Sequence, residues 1–326
     1  MAFEPNSPIK PVLIVQHAPH EHPAIIRRAL ETQGIATRCI HPYRGDQYPS
    51  VDQILGMVSM GGPMSANDES EHPWITQEIK LLRSCVEAGL PVLGVCLGGQ
   101  MLARAMGSPV GRNAQAEVGW FPIRPTSAGR EDPIFGGAGN EPLVYHWHED
   151  TFELPAGAVL LADSQACPRQ AYRLGERIYG FQFHPEADHQ LVHEWMAIEG
   201  VEEEILDAQK QHGIATVQDA QTQKSRASQG ERASLRITAA VTQIFQTAEY
   251  EDIPDKVRLK LENWTTHQQL LLLEFEDPHG HLVHLRGQIA QLFHLTGGEF
   301  LIFKEESTLL WPIRMDFIRN IRAIKN

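Results

Sequence analysis

Two short segments hold the residue types of a nucleophile and its base. The first is PVLGVCLGGQ (91–100), in which an apolar run of strand character leads straight into Cys96 and helical spacing begins at Leu97. Gly94, Gly98 and Gly99 flank the cysteine. A strand that turns sharply into a helix pushes the side chain at the turn out over the carboxyl edge of a sheet and aims the helix N-terminus at it. That end of the helix dipole favours a thiolate, the reactive form of a cysteine. Small neighbours let a substrate approach the backbone closely. The competing reading is a structural cysteine at a tight turn, and the flanking glycines favour the nucleophile. The second segment is GFQFHPEAD (180–188). His184 follows an apolar run, Pro185 stiffens the exit, and Glu186 is close enough to accept a hydrogen bond from the imidazole. A thiol nucleophile requires such a base and a third group to hold it. Of 16 histidines, His184 alone combines a strand end, a rigid proline and an adjacent carboxylate.

The remaining candidates read as packing. Cys85 sits on an amphipathic helix, Cys39 in a strand, and Cys167 in a loop before Pro168. His146 and His148 alternate, as metal ligands do, but no Cys or carboxylate spacing completes a zinc set, so no metal is expected. The HAPHEH run (His17, His20, His22) tempts the same reading and is taken as the rim of a pocket.

The elements that must position these groups alternate strand and helix. Strands are expected at 11–17, 53–60 and 91–95. Helices are expected from Pro23 to about Gly34, from Pro73 to Gly89 with Ile75, Ile79, Leu82 and Val86 on one face, and from Leu97 to Met106. This repetition predicts an α/β fold, a doubly wound, mostly parallel sheet with helices on both faces. From 115 to 186 strands and turns dominate, with a hairpin over 171–183. Helices resume with Leu191, Trp195 and Ile198 on one face. The polar stretch 218–232 reads equally as a solvated helix or a loop, and Val241, Ile244 and Phe245 mark a last helix. After about 249 the character changes. One short helix (256–264) precedes apolar runs at 270–276, 281–286, 288–294, 299–304, 308–313 and 317–323. Turn signals lie at 277–280 and 296–298, and Gly287 bends a long strand. That pattern predicts a small β-barrel, hence two domains, 1–248 and 249–326.

Composition narrows the function classes. The chain has 326 residues, 42% hydrophobic and 21% charged, with a net charge of −13, the profile of a folded globular protein. The acidic balance disfavours non-specific binding to nucleic acid or membrane surfaces. No run approaches the ~18 apolar residues of a membrane span, and no signal-peptide core is evident. Four cysteines in a chain of this length are no disulfide framework. A reduced, cytoplasmic protein is expected.

With both motifs in view, the chain resembles the class I (triad-type) glutamine amidotransferases over roughly residues 10–248, closest to free-standing relatives of the GMP synthase amidotransferase domain. The G-x-C-x-G-x-Q pattern of that family matches Gly94, Cys96, Gly98 and Gln100, and its H-x-E pattern matches His184 and Glu186. GGPMSAND (61–68), AEVGW (116–120) and HWHEDTF (146–152) agree as well. The resemblance implies a flavodoxin-like fold and hydrolysis of the glutamine side-chain amide without a cofactor. Cys96 attacks, a thioester forms, ammonia leaves, His184 is base and then acid, and Glu186 orients it. It implies an oxyanion hole from the backbone amides of Gly62 and Leu97, each donor worth ~3 kcal/mol in the transition state. It places Gln100, Gly61, Glu117, His146, Trp147 and His148 at the substrate, with Glu117 either a substrate-side carboxylate or a structural acceptor.

Neither an S-G-G-x-D-S nor a G-x-x-x-x-G-K-[ST] loop is present, so no ATP chemistry is evident. Three functions remain: hydrolysis of glutamine or another γ-glutamyl amide or peptide by the chain itself, delivery of ammonia to a separate synthetase, or a regulatory role. The C-terminal part weakly resembles Sm-like barrels of the Rho-binding antiterminator type, on GEFLIFKE (298–305) and RMDFIRNIRAI (314–324). Arg314, Arg319, Arg322 and Lys325 are a candidate basic face there. Without an aromatic stacking platform, a protein partner or a homodimer is preferred over RNA.

Overall fold

The computed structural model describes residues 10–213, 215–246, 255–276, 282–295, 298–305, 310–314 and 318–324. The expected domain boundary at 248, the turns at 277–280 and 296–297, and the side chains of the candidate basic face lie outside the described residues.

Five short strands run parallel at the centre: β1 (Val12–Val15), β2 (Thr37–Ile40), β3 (Gly56–Ser59), β4 (Val92–Val95) and β10 (Ile178–Phe181). Every residue of β1, β3, β4 and β10 is buried, which is why they read as near-continuous apolar runs. Successive side chains go to opposite faces. Val12 and Ile14 pack with α1 (Ala24–Thr32) and α7 (Ala220–Thr242), while Leu13 and Val15 pack with α2 (Trp74–Glu87) and α3 (Leu97–Ala105). Beyond β10 the sheet continues antiparallel through β9 (Ala171–Leu174), β8 (Val159–Asp163) and β6 (Arg124–Pro125), giving the order β2-β1-β3-β4-β10-β9-β8-β6. A separate antiparallel ribbon pairs β5 (Val110–Pro122) with β7 (Leu143–Phe152). Short α4 (Ser127–Glu131) and the helices α5 (His189–Met196) and α6 (Val201–His212) complete this part. No helix among the described residues is long and apolar enough to cross a membrane.

One departure from the sequence expectation and one reading left open there are informative. The fully buried stripe of α2 is Ile75, Glu78, Leu82 and Cys85, with Ile79 and Val86 flanking it. Glu78 is there because it pairs with His17, and apolar spacing cannot see a carboxylate on the inner face. The polar stretch 218–232 is helical from Ala220 on, in α7. Asp219 caps it by accepting from the Thr222 amide at 2.8 Å, and its inner face is polar or small. Gln223 accepts from the Tyr145 hydroxyl at 2.7 Å. A Cβ on Gly230 would lie 1.9 Å from the Trp120 ring.

The C-terminal part is one antiparallel sheet, β11 (Leu271–Glu276), β12 (Leu282–Leu295), β13 (Gly298–Glu305), β14 (Leu310–Arg314) and β15 (Ile318–Ala323), in the order β14-β13-β12-β11-β15. From Leu282 on, the two runs expected on either side of Gly287 are a single strand. Gly287 sits where a Cβ would meet the Lys304 carbonyl at 1.9 Å. This sheet is compatible with the expected barrel, and among the described residues β14 and β15 are its two edges. The helix α8 (Asp255–Thr266) contributes Leu261 to the core of this sheet with Leu273, Phe275, Leu285 and Phe303. The opposite face meets α1. Ile302 and Leu310 join Ile25, Ile26 and Leu30 in one core, and Thr32 Oγ1 donates to the Pro312 carbonyl at 2.6 Å. Proline in β14 is tolerable because β14 is an edge.

Candidate active site

The turn after β4 is built for Cys96. Its backbone has φ 49° and ψ −108°, a conformation that costs a non-glycine residue about 1–3 kcal/mol. The strain is held by close packing of α3 on the sheet. A Cβ on Gly98 would lie 2.1 Å from the Ser59 carbonyl oxygen, and one on Gly94 would lie 2.5 Å from that of Gly98. The Cys96 amide donates to the Phe181 carbonyl at 2.8 Å, tying the turn to β10.

β10 delivers the second segment to the same edge. The His184 amide donates to the Tyr145 carbonyl at 2.8 Å, and the Pro185 carbonyl accepts from Thr238 Oγ1 of α7 at 2.7 Å. His184 Nδ1 donates to Glu186 Oε1 at 2.8 Å, leaving Nε2 for the cysteine. Trp195 packs edge-on against the imidazole, centroids 5.1 Å apart. Burial pulls the His184 pKa down, but the charges of Glu186 and of a Cys96 thiolate, with hydrogen bonds to both, outweigh it, so it lies well above the usual value. Cys96 Sγ also lies 3.6 Å from the Trp147 carbonyl oxygen and 3.8 Å from Gln182 Nε2.

Cys96 and His184 open on a cleft of about 790 Å³. Gly62 and Leu97 line it, and among the described residues neither amide is engaged by another group. Gln100 lines it too, with Nε2 3.3 Å from the Asp150 carbonyl and from Gln182 Oε1, as do Trp147 and His148. Gly61 lies beside it: a Cβ there would meet Glu21 Oε2 at 2.6 Å and His184 Cε1 at 2.8 Å. Two expected substrate contacts are displaced. Glu117 and His146 are fully buried and do not line the cleft. Of the three histidines taken as a rim, only His20 lines it. His17 is buried, its Nε2 3.0 Å from Glu78 and its Nδ1 2.9 Å from the Gly61 carbonyl. His22 pairs with Glu194 at 2.9 Å.

Sequence reasoning passed over Glu21, between two histidines it did weigh. Glu21 lines the cleft, and its Oε2 has no hydrogen-bond partner. Burial raises its pKa, the His184 charge opposes that, and the Glu186 charge adds to it. The run of titratable residues at 17–22 was the available signal.

Behind the cleft, the β5/β7 pairing sets Glu117 opposite His148 and Gly119 opposite His146. Glu117 receives hydrogen bonds from Ser164 Oγ at 2.8 Å and Gln170 Nε2 at 2.6 Å, and its Oε2 lies 3.0 Å from His148 Nε2. Burial works to raise its pKa, but His146, His148 and Ser164 outweigh it and hold the carboxyl at about 2. Burial lowers His146 to about 4 against the pull of Glu117.

Residues 24–200 match the family model for class I glutamine amidotransferases. A glutamine amidotransferase-like protein of Salmonella typhimurium, YfeJ, is 32% identical over 214 residues, which are 63% of this chain and 87% of that one. The GMP synthase of Streptococcus equi is 30% identical over 186 residues, covering 56% of this chain but 34% of the synthase. The crystal structure of a glutamine amidotransferase from Methylobacillus flagellatus superposes with a TM-score of 0.66 at 32% identity, over 76% of this chain and 99% of that one.

Proposed function

This chain belongs to the class I glutamine amidotransferase family, and from that premise we propose that it hydrolyses the side-chain amide of glutamine or of a γ-glutamyl compound. The observation that carries the reading is the meeting of Cys96, on a strained strand-to-helix turn, with the Glu186-bound imidazole of His184 at one edge of the sheet. The thiolate attacks the amide carbonyl. The free amides of Gly62 and Leu97 receive the oxyanion. The His184 imidazolium gives its proton to the departing nitrogen, and the neutral imidazole then activates the water that releases glutamate from the thioester.

The size of the cleft admits a γ-glutamyl amide or peptide as well as glutamine. At about 790 Å³ it falls toward the upper end of small-ligand sites, ~300–1,000 Å³, and leaves room beyond the scissile bond for an amine larger than ammonia. A second reading, delivery of ammonia to a separate synthetase, draws on GMP synthase relatives such as that of Streptococcus equi, of which this chain spans about a third. The C-terminal sheet would then be a docking module. Its strand order, the helix before it and the position of Gly287 in β12 support an Sm-like fold. The two domains, 1–248 and 249–326, and a cytoplasmic location complete the proposal.

Release of ammonia and glutamate by the purified chain, from glutamine and a panel of γ-glutamyl amines and peptides, tests it. Turnover on at least one compound, absent in Cys96→Ala, is expected. No turnover on any would overturn the self-sufficient hydrolase.

A further inference from the structure

The β5/β7 ribbon gathers three ligating side chains on one face. Alternate residues of a strand share a face, so His146 and His148 project together, and the register brings Glu117 directly across from His148. Their ligand atoms all lie within 4.8 Å of one another. His148 Nε2 is 3.0 Å and His146 Nδ1 is 3.7 Å from the same carboxylate oxygen, Glu117 Oε2. Ligands on a tetrahedral zinc, bound at ~2.0–2.1 Å, are spaced about 3.3 Å apart, and the two distances bracket that edge. All three side chains are at least 97% buried.

The hydrogen bonding is incomplete in the way a missing cation would explain. Neither ring nitrogen of His146 makes a hydrogen bond of good geometry, although the Phe121 backbone lies near enough to raise its pKa, and the Gln170 amide oxygen beside the same carboxylate has no partner. Orphaned polar atoms at such depth are rare in folded proteins. His148 Nδ1 lies 3.1 Å from the Asp150 carbonyl oxygen, which only an Nδ1–H satisfies. That hydrogen bond leaves Nε2, beside Glu117 Oε2, as the ring's ligand atom. A ligating histidine shows this same arrangement, its far N–H held by a carbonyl and its near nitrogen on the metal.

We propose that Glu117 Oε2, His146 Nδ1 and His148 Nε2 bind one divalent transition-metal ion, with zinc as the best match to two imidazoles and a carboxylate. The ion fastens β5 to β7 behind the cleft, where β7 presents the Trp147 carbonyl to Cys96 and the Tyr145 carbonyl to the His184 amide. Its role is structural, and it stands apart from the hydrolytic reading because no step of that chemistry passes through it.

The full chain is stripped with a chelator, reloaded with zinc alone, freed of excess and assayed for bound metal. The test has to separate this site from Glu21, His184 and Glu186, a second group with ligand spacing, and from the Cys96 thiolate. About one zinc per chain is expected, with a higher thermal midpoint than the stripped protein. Cys96→Ala/His184→Ala should retain both, and His146→Gln or Glu117→Gln should reduce bound zinc to background. Should those two variants not fold, cobalt bound to Cys96→Ala/His184→Ala decides. Visible ligand-field bands without a thiolate charge-transfer band support the site. A stripped wild-type chain that takes up no zinc or cobalt overturns the proposal, as does metal that survives His146→Gln and disappears from Cys96→Ala/His184→Ala.

Discussion

The main-chain amide of His184 donates to the carbonyl of Tyr145 at 2.8 Å, so the candidate base is pinned to a strand outside its own sheet. Two residues further along β7, the Trp147 carbonyl faces Cys96 Sγ at 3.6 Å, and the Asp150 carbonyl accepts from Gln100. The ribbon therefore contributes backbone to three groups of the site. The geometry of the nucleophile and its base depends on residues that never touch a substrate.

Cys96→Ala should reduce kcat/KM by at least about 10⁴-fold, the scale seen when a catalytic nucleophile is removed, while leaving the thermal midpoint close to that of the wild type. Steady-state kinetics with a melting curve on the same preparation check it. Full activity would remove Cys96 from the mechanism.

His184→Ala should cost nearly as much as Cys96→Ala, and Glu186→Gln about 10²–10⁴-fold. His184 has a raised pKa, so its imidazolium persists through neutral pH and is lost as pH rises through that value. The alkaline limb of the kcat/KM profile should report it, and Glu186→Gln should move that limb to lower pH.

Gly98→Ala should destabilise by about 1–3 kcal/mol or more, the cost of overpacking, because the added methyl would overlap the Ser59 carbonyl at 2.1 Å. Denaturant titration measures it. A neutral effect would mean that α3 can lift away from the sheet.

The buried His17–Glu78 pair predicts a pH-dependent stability. Burial lowers the His17 pKa, but Glu78 and the Gly61 carbonyl raise it further, and the net shift is upward. A raised folded-state value stabilises fully below the unfolded pKa of about 6.5 and is lost as pH rises through the folded value. Glu78→Gln should remove this slope and cost about 3–5 kcal/mol at low pH, where it leaves a buried charge unpaired. Unfolding free energies of both proteins across pH 5–9 read both effects.

The parallel core was legible because buried strands are almost wholly apolar and the Cys96 turn is glycine-rich. The helix over 220–232 was not, because its inner face carries Gln223, Gly230 and Glu231, which meet Tyr145, Trp120 and His189 through hydrogen bonds and close approach rather than apolar bulk. His184 and Glu186 are adjacent enough to pair within one turn. The Glu117–His148 pair is separated by 31 residues and set by strand register, which no local spacing encodes. Glu78 illustrates the same limit, since its partner His17 is 61 residues away.

The central claim is that Cys96 forms a covalent γ-glutamyl intermediate. A glutamine analogue carrying an electrophilic diazoketone, incubated with the full chain and followed by mass spectrometry, addresses it directly. The account predicts one adduct per chain, located on the peptide containing Cys96, suppressed by the preferred substrate and absent from Cys96→Ala. An adduct on Cys39, Cys85 or Cys167 with Cys96 left free, or no adduct on a folded chain, would contradict it.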